Sequence, residues 1–247
     1  FLVFTTRHCP LRNAINYAPR IAATLAVAVA LLFNANFAWA DYDDAVAAYE
    51  HGDYAAAIKQ FRALAEKGSA KAQFNLGFML NKGEGVTQND IEAVKWFRKA
   101  AKQGDTAAQA SLAWKYLKGH GVPQDDKKAI EWYTKAAEQG DPRAQNNLGE
   151  LYARGDGVPK DDKEAMKWYT KAGEQGNAFS QAALARMYHK GEGVTQDDIH
   201  AHAWYYLAEL NGHEEAARLR KQMETRMRPD EITEARELSV KLANPEE

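Results

Sequence analysis

Cysteine is all but missing from this chain: Cys9 is the one cysteine in 247 residues. It lies before the apolar run Ile21–Phe33, so it is not a lipoprotein cysteine, which would close such a run. Once the leading segment is removed, no thiol, disulfide or cysteine metal site is left. Catalytic signatures are missing too. The chain holds no Ser-x-x-Lys, Gly-x-Ser-x-Gly, His-Glu-x-x-His or phosphate loop. Histidine is sparse, and His200-x-His202 is its only local cluster. Residues two apart on a helix point to different faces, and no nearby carboxylate completes a metal set. These absences exclude the common hydrolase and metalloenzyme classes and leave no cofactor to expect.

Acidic residues are absent from the first 40 positions. Arg7, Arg12 and Arg20 precede the apolar run of 13 residues, and Ala38-Trp39-Ala40 follows it, ahead of Asp41. A basic region, a short apolar core and Ala-x-Ala have the pattern of a secretory signal peptide. A spanning helix needs about 20 apolar residues, so 1–40 reads as cleaved after Ala40 rather than as an anchor. The expected location is periplasmic or secreted. Taking those three arginines from the 32 basic residues leaves 29 against 34 acidic, a net of −5. Export and that acidic balance both argue against nucleic acid, which selects a basic face.

What the sequence has in abundance is itself. Residues 71–214 are one 36-residue unit written four times without a gap: Lys71–Thr106, Ala107–Pro142, Arg143–Ala178 and Phe179–Glu214. A fixed period of this size signals a repeat array. Counting from the start of each copy, position 3 is Gln73, Gln109, Gln145, Gln181, and position 6 is Leu76, Leu112, Leu148, Leu184. Position 7 is Gly77, Ala113, Gly149, Ala185, and position 10 is Leu80, Tyr116, Tyr152, Tyr188. Spacings of three and four set these on one face of a first helix. Gly83-x-Gly85-Val86 and its three copies read as a helix stop followed by a turned loop. Asn89, Asp125, Asp161 and Asp197 then cap a second helix, and Asn89…Glu92 and Asp161…Glu164 have capping-box spacing. That helix carries Trp96, Trp132, Trp168 and Trp204, each followed by Phe or Tyr, and Gly104, Gly140, Gly176 and Gly212 close it. The same aromatic pair at a fixed register is a core signature.

Each copy is therefore helix, glycine loop, helix, turn, and one hairpin alone cannot bury its aromatic face. The pattern A-x-x-x-L-G-x-x-Y-x-x-G-x-G-V-x-x-D-x-x-x-A-x-x-W-Y-x-x-A-A-x-x-G resembles the Sel-one-like repeat, a relative of the tetratricopeptide repeat. The resemblance implies an all-α fold, a right-handed α-solenoid of stacked hairpins used for protein–protein contact. It also admits a cell-wall ligand-binding or β-lactamase-like protein, although this chain lacks the disulfides of such members. Residues 41–70, with Gly52-Asp53-Tyr54, Ala57 and Phe61, resemble a shorter tetratricopeptide hairpin that caps the stack. Residues 215–247 read as a closing cap of two helices, near 215–227 and 230–242.

If first helices line the inner face, positions 5, 8 and 12 look into a groove. The partner-binding set is then Asn75, Phe78, Lys82, Ser111, Trp114, Lys118, Asn147, Glu150 and Arg154, with Arg186 and Lys190 in the same register. Two accounts stand for each class. Phe78 and Trp114 either anchor a partner or fill gaps between repeats. The recurring cation at position 12 either offers a positive strip or answers a helix dipole. Asn75 and Asn147 either hold a peptide backbone or are exposed polar residues without a role. The expected partner is a protein or peptide, with no stable membrane insertion.

Overall fold

The computed structural model describes residues 41–243, all helix and turn with no strand. The signal-peptide reading of 1–40, with Cys9, lies outside the described residues, as do 244–247. Helix α1 runs over 41–50 and α2 over Tyr54–Glu66. The first helices of the four repeats are α3 (Ala70–Lys82), α5 (Thr106–Lys118), α7 (Pro142–Arg154) and α9 (Ala178–Lys190). The second helices are α4 (Asp90–Lys102), α6 (Asp126–Glu138), α8 (Asp162–Glu174) and α10 (Asp198–Leu210). Helices α11 (Ala216–Glu224) and α12 (Pro229–Ala243) follow and pack on α10. Each helix packs mainly on its neighbours in sequence, so the array is an α-solenoid without a single centre. No helix among the described residues is long and apolar enough to cross a membrane.

The uniform helix length has a chemical cause at both ends. Asn89, Asp125, Asp161 and Asp197 each accept a backbone N–H bond, as the sequence predicts. The first helices are capped as well, by Ser69, Asp105, Asp141 and Asn177, each directly after a glycine. The expected capping boxes are only half made. The cap's own N–H goes instead to the carbonyl at position 10 of the preceding helix, as Asn89 to Leu80 and Asp161 to Tyr152, both 2.9 Å. Glu92 and Glu164 are thereby released to Arg62 and Lys167.

The two loop glycines have different duties. Gly83, Gly119, Gly155 and Gly191 are left-handed helix stops. The second glycine joins one repeat to the previous one. A Cβ on Gly85 would meet the Tyr54 carbonyl oxygen at 2.5 Å, one on Gly193 would meet that of Asp162 at 2.8 Å, and one on Gly121 would collide with that of Asp90. Each loop thus lies directly on the first turn of the second helix one hairpin earlier.

Packing follows the register. Leu76, Leu112, Leu148 and Leu184 are fully buried, and Phe97, Tyr133, Tyr169 and Tyr205 nearly so. Each such ring contributes about 1.5–3 kcal/mol by leaving water. The tryptophans belong to the same core with one face outward, where Lys99, Lys135 and Lys171 place an ammonium 3.9, 4.2 and 4.8 Å from the rings of Trp96, Trp132 and Trp168.

The glutamines at position 3 are buried and form a polar seam through this core. Gln73, Gln109, Gln145 and Gln181 each donate to a carbonyl eight residues back, at 2.8–3.2 Å. Each accepts in turn from the amide that ends its own second helix: Gln103, Gln139, Gln175 or Asn211, at 2.7–3.0 Å. One side chain therefore ties three helices and satisfies carbonyls that a helix end leaves free.

Two polar residues occupy positions that are apolar in the other copies. Position 9 reads Met79, Lys115, Leu151, Met187, and Lys115 is buried like the rest, 2% exposed. Its ammonium pairs with Asp90 at 2.8 Å and bonds the Asn81 side-chain oxygen. Position 24 reads Val94, Ile130, Met166, His202, and His202 is fully buried. Its Nε2 lies 3.0 Å from Glu224, which also holds Arg220, while Arg220 reaches Glu209 at 2.9 Å. This cluster fastens α11 to α10.

Candidate binding groove

Six of the nine positions proposed for partner contact fall into two separate places, and Lys82, Ser111 and Trp114 line neither. At the amino-terminal end, Phe78 and Asn75 line a recess of about 440 Å³ with Tyr42, Val46, Tyr49, Phe61 and Phe74. Helix α1 forms one wall. The Asn75 amide donates to the Tyr42 hydroxyl at 2.9 Å, so its side chain is engaged within the protein. The Tyr49 hydroxyl donates to Glu84 at 2.8 Å, and burial, followed by that carboxylate, pushes its pKa up to about 12. Lys82 stands at the rim, 5.9 Å from the Phe78 ring.

In the next repeat, Ser111 is half-buried and Trp114 is 39% exposed. The Trp114 ring meets His120 edge-on at 5.0 Å, and the Lys115 ammonium lies 5.3 Å from its centroid. The exposure of this Trp, in a chain where Trp96, Trp168 and Trp204 are buried, fits a surface role better than gap filling.

The second place is a groove along α5, α7 and α9. Lys118, Asn147, Glu150 and Arg154 line a cleft of about 400 Å³ with Asp126 and Asp156. Glu150 and Arg154 also wall the next cleft, about 300 Å³, with Tyr169, Arg186 and Lys190. Glu150, Tyr169 and Arg186 continue into a third, about 290 Å³, with Phe179, Tyr205, His213 and Leu219. Glu150 is common to all three, so they form one channel that ends at the carboxy-terminal cap.

The groove's charges are largely paired. Arg154 bonds Glu150 one turn away, Lys160 is 3.2 Å from Asp162, and Lys190 is 3.6 Å from Glu192. Burial raises the Tyr169 phenol to about 12 and raises Tyr205 as well, so both keep their protons at neutral pH. Lys82, Lys118, Arg154 and Lys190 are each the last residue of their helix, which meets the dipole argument, yet three of the four also line the groove.

Sequence reasoning missed Tyr169, Tyr205, Phe179, His213 and Leu219 as groove residues. The two tyrosines sit in the aromatic core register, and only the packed structure shows their edges opening to a cleft. Carboxylates do stand beside three histidines: His189 is 2.7 Å from Asp198, His200 is 2.7 Å from Asp197, and His202 is 3.0 Å from Glu224. Each pairing is one histidine to one carboxylate. Among the described residues no three His, Cys, Asp or Glu gather as a metal site would need.

Comparison with known proteins bears on the repeat fold. The Sel1 repeat family matches residues 70–105, 106–141, 142–177 and 178–213, one residue ahead of the copies counted above. The chain is similar to c5321, a protective antigen of uropathogenic Escherichia coli strains with an SLR fold. The two are 34% identical over 86% of this chain and 46% of that one, with a TM-score of 0.75. This chain therefore spans just under half the length of that relative. It is also similar to a Sel1 repeat protein from Oxalobacter formigenes, 33% identical over 73% of this chain and 74% of the other, TM-score 0.70. A sel1 repeat protein from Klebsiella pneumoniae, 21% identical with a TM-score of 0.50, shares the fold. A search of the curated proteins finds no match.

Proposed function

Because the chain belongs to the Sel1 repeat family, whose members generally act as protein-interaction scaffolds, we propose that it is an exported scaffold that holds a protein or peptide along the face lined by α5, α7 and α9. The observation that carries this is the continuous groove. Three clefts share Glu150 and adjoin one another through Arg154 and Arg186. A channel of that length, open on one side and lined by paired charges over tyrosine edges, suits an extended chain better than a compact ligand. Export rests on the basic, apolar and Ala-x-Ala pattern of 1–40, and predicts a mature amino terminus at Asp41 in the periplasmic or secreted fraction.

The test is in-cell crosslinking with photo-reactive residues at Trp114 and Glu150, and at Lys135 as an outer-face control. A dominant protein adduct from the first two sites, absent from Lys135, is the expected result. Trp114→Ala and Lys118→Glu should then weaken that partner. Equal labelling from all three sites, or adducts only with glycan, would sink the groove assignment and favour a cell-wall ligand.

A further inference from the structure

Two cations that line the groove have no acid within salt-bridge range among the described residues: Lys118 and Arg186. Their neighbours Arg154, Lys160 and Lys190 are each neutralised. Arg186 is the better placed of the two. It lines two adjoining clefts, and it stands at position 8, one turn before the helix end. Glu150 lines the same two clefts, but its carboxylate is taken by Arg154. The cleft on the cap side also holds Phe179, a phenylalanine 69% exposed, with Leu219 and the Tyr205 edge. The Phe179 ring meets His213 edge to face at 5.4 Å, and most of its surface faces water.

Resting on the groove reading above, we propose that Arg186 is the anchor for a carboxylate of the bound segment, and that an apolar side chain next to that carboxylate covers Phe179. A guanidinium presents a planar fork that fits a carboxylate with two parallel bonds. An unpaired arginine beside an exposed aromatic has the composition of a binding hot spot. The carboxylate could be an Asp or Glu side chain or a chain terminus; both present the same fork-binding group.

The test uses the full protein as bait for a random heptapeptide library displayed in two formats, one with free carboxyl termini and one with both ends embedded. The expected winners carry a carboxylate beside an apolar residue. Winners from the embedded format identify a side chain, and winners confined to the free-end format identify a terminus. The best winner is then titrated by fluorescence anisotropy. Arg186→Gln should weaken it about 10- to 100-fold, and Arg186→Lys less, because the lost bonds are charge-assisted. Arg186 is exposed, so neither change should alter the circular dichroism or the melting temperature. Acid-free winners, or winners bound equally by Arg186→Gln, would overturn the anchor. If those same winners are lost on Lys118→Glu or Trp114→Ala, the groove survives without it. No enrichment over bare support would overturn both.

Discussion

Lys115 should be replaceable by methionine at no cost in stability. The ammonium sits in the interface between the first two repeats, paired with Asp90 at 2.8 Å, at a register position where the other copies place Met79, Leu151 and Met187. Burying an ion costs several kcal/mol, and a single ion pair rarely returns more than that, so an apolar residue of similar volume is neutral or better. What usually spoils such a replacement is the partner left behind as a buried lone charge. Here the partner escapes. The Asp90 side chain is 29% exposed and is the first residue of α4, where free N–H groups favour an anion. Lys115→Met should therefore fall between neutral and about 2 kcal/mol stabilising. Asp90→Asn leaves the ammonium buried without an anion, beside the Asn81 oxygen and the Trp114 ring, and should cost about 3 kcal/mol or more. In the Lys115→Met background, Asp90→Asn should cost under about 1 kcal/mol, which is the helix-terminus contribution alone. Urea unfolding followed by circular dichroism on the four proteins gives the coupling directly. A loss of 3 kcal/mol or more from Lys115→Met alone would show that Asp90 is not rehydrated and would refute this account.

The second loop glycines should be far less tolerant than the turn glycines. Gly121→Ala combines φ +78° with a collision against the Asp90 carbonyl, whereas Gly140→Ala, at φ +91°, meets nothing within 4 Å. Gly140→Ala should cost about 1–2 kcal/mol and Gly121→Ala clearly more, read as urea midpoints. Equal losses would mean the loop is not in contact with the previous repeat. Gln109→Leu removes both the bond to the Ala101 carbonyl and the acceptor for Gln139. It should cost about 1–3 kcal/mol despite its better hydrophobicity, and a stabilised variant would refute the seam. His202 makes stability fall on acidification. Burial is the main cause that holds its pKa below 6.5, with Arg220 and Arg236 acting the same way and Glu224 opposing. Below pH 6.5 the unfolded chain takes up a proton that the folded one resists, so stability drops by up to about 1.4 kcal/mol per pH unit. Glu224, held below 4.5 chiefly by its bond to His202, adds its own loss only at lower pH. His202→Met should flatten the upper part of that profile, and an unchanged slope would exclude His202 as its source.

The fold was legible because every repeat states it again. Four copies of each cap, glycine and Trp-aromatic pair leave one periodic solution, and any single copy would have been ambiguous. The errors came where a residue acts across the period rather than within it. Gly85 reads locally as a turn residue, yet it is the Tyr54 carbonyl 31 positions earlier that excludes a side chain there. Glu92 has capping-box spacing, but Arg62 of the preceding hairpin takes its carboxylate. Gln73 reads as one more packing residue, yet it bonds Ala65 on one side and Gln103 on the other.

The groove was harder still, because repetition carries no information about binding. Features common to all copies must serve stacking, since every repeat has to stack. Selectivity has to lie in what the copies do not share, and position 8 is the clearest case: Phe78, Trp114, Glu150 and Arg186 occupy equivalent sites with four different chemistries. Phe78 is enclosed by α1, Trp114 is exposed, Glu150 is spent on Arg154, and Arg186 is unpaired. The same register therefore runs from apolar at the amino-terminal end to charged at the cap. A bound segment with one apolar residue at Trp114, and its acid and that acid's apolar neighbour at Arg186 and Phe179, would fit in one direction only. Exchanging the two residues, as Trp114→Arg with Arg186→Trp, keeps composition and net charge while reversing that polarity. It should lower affinity for the natural partner as much as losing both residues does. If affinity is retained, the groove recognises composition rather than order, and the directional reading fails.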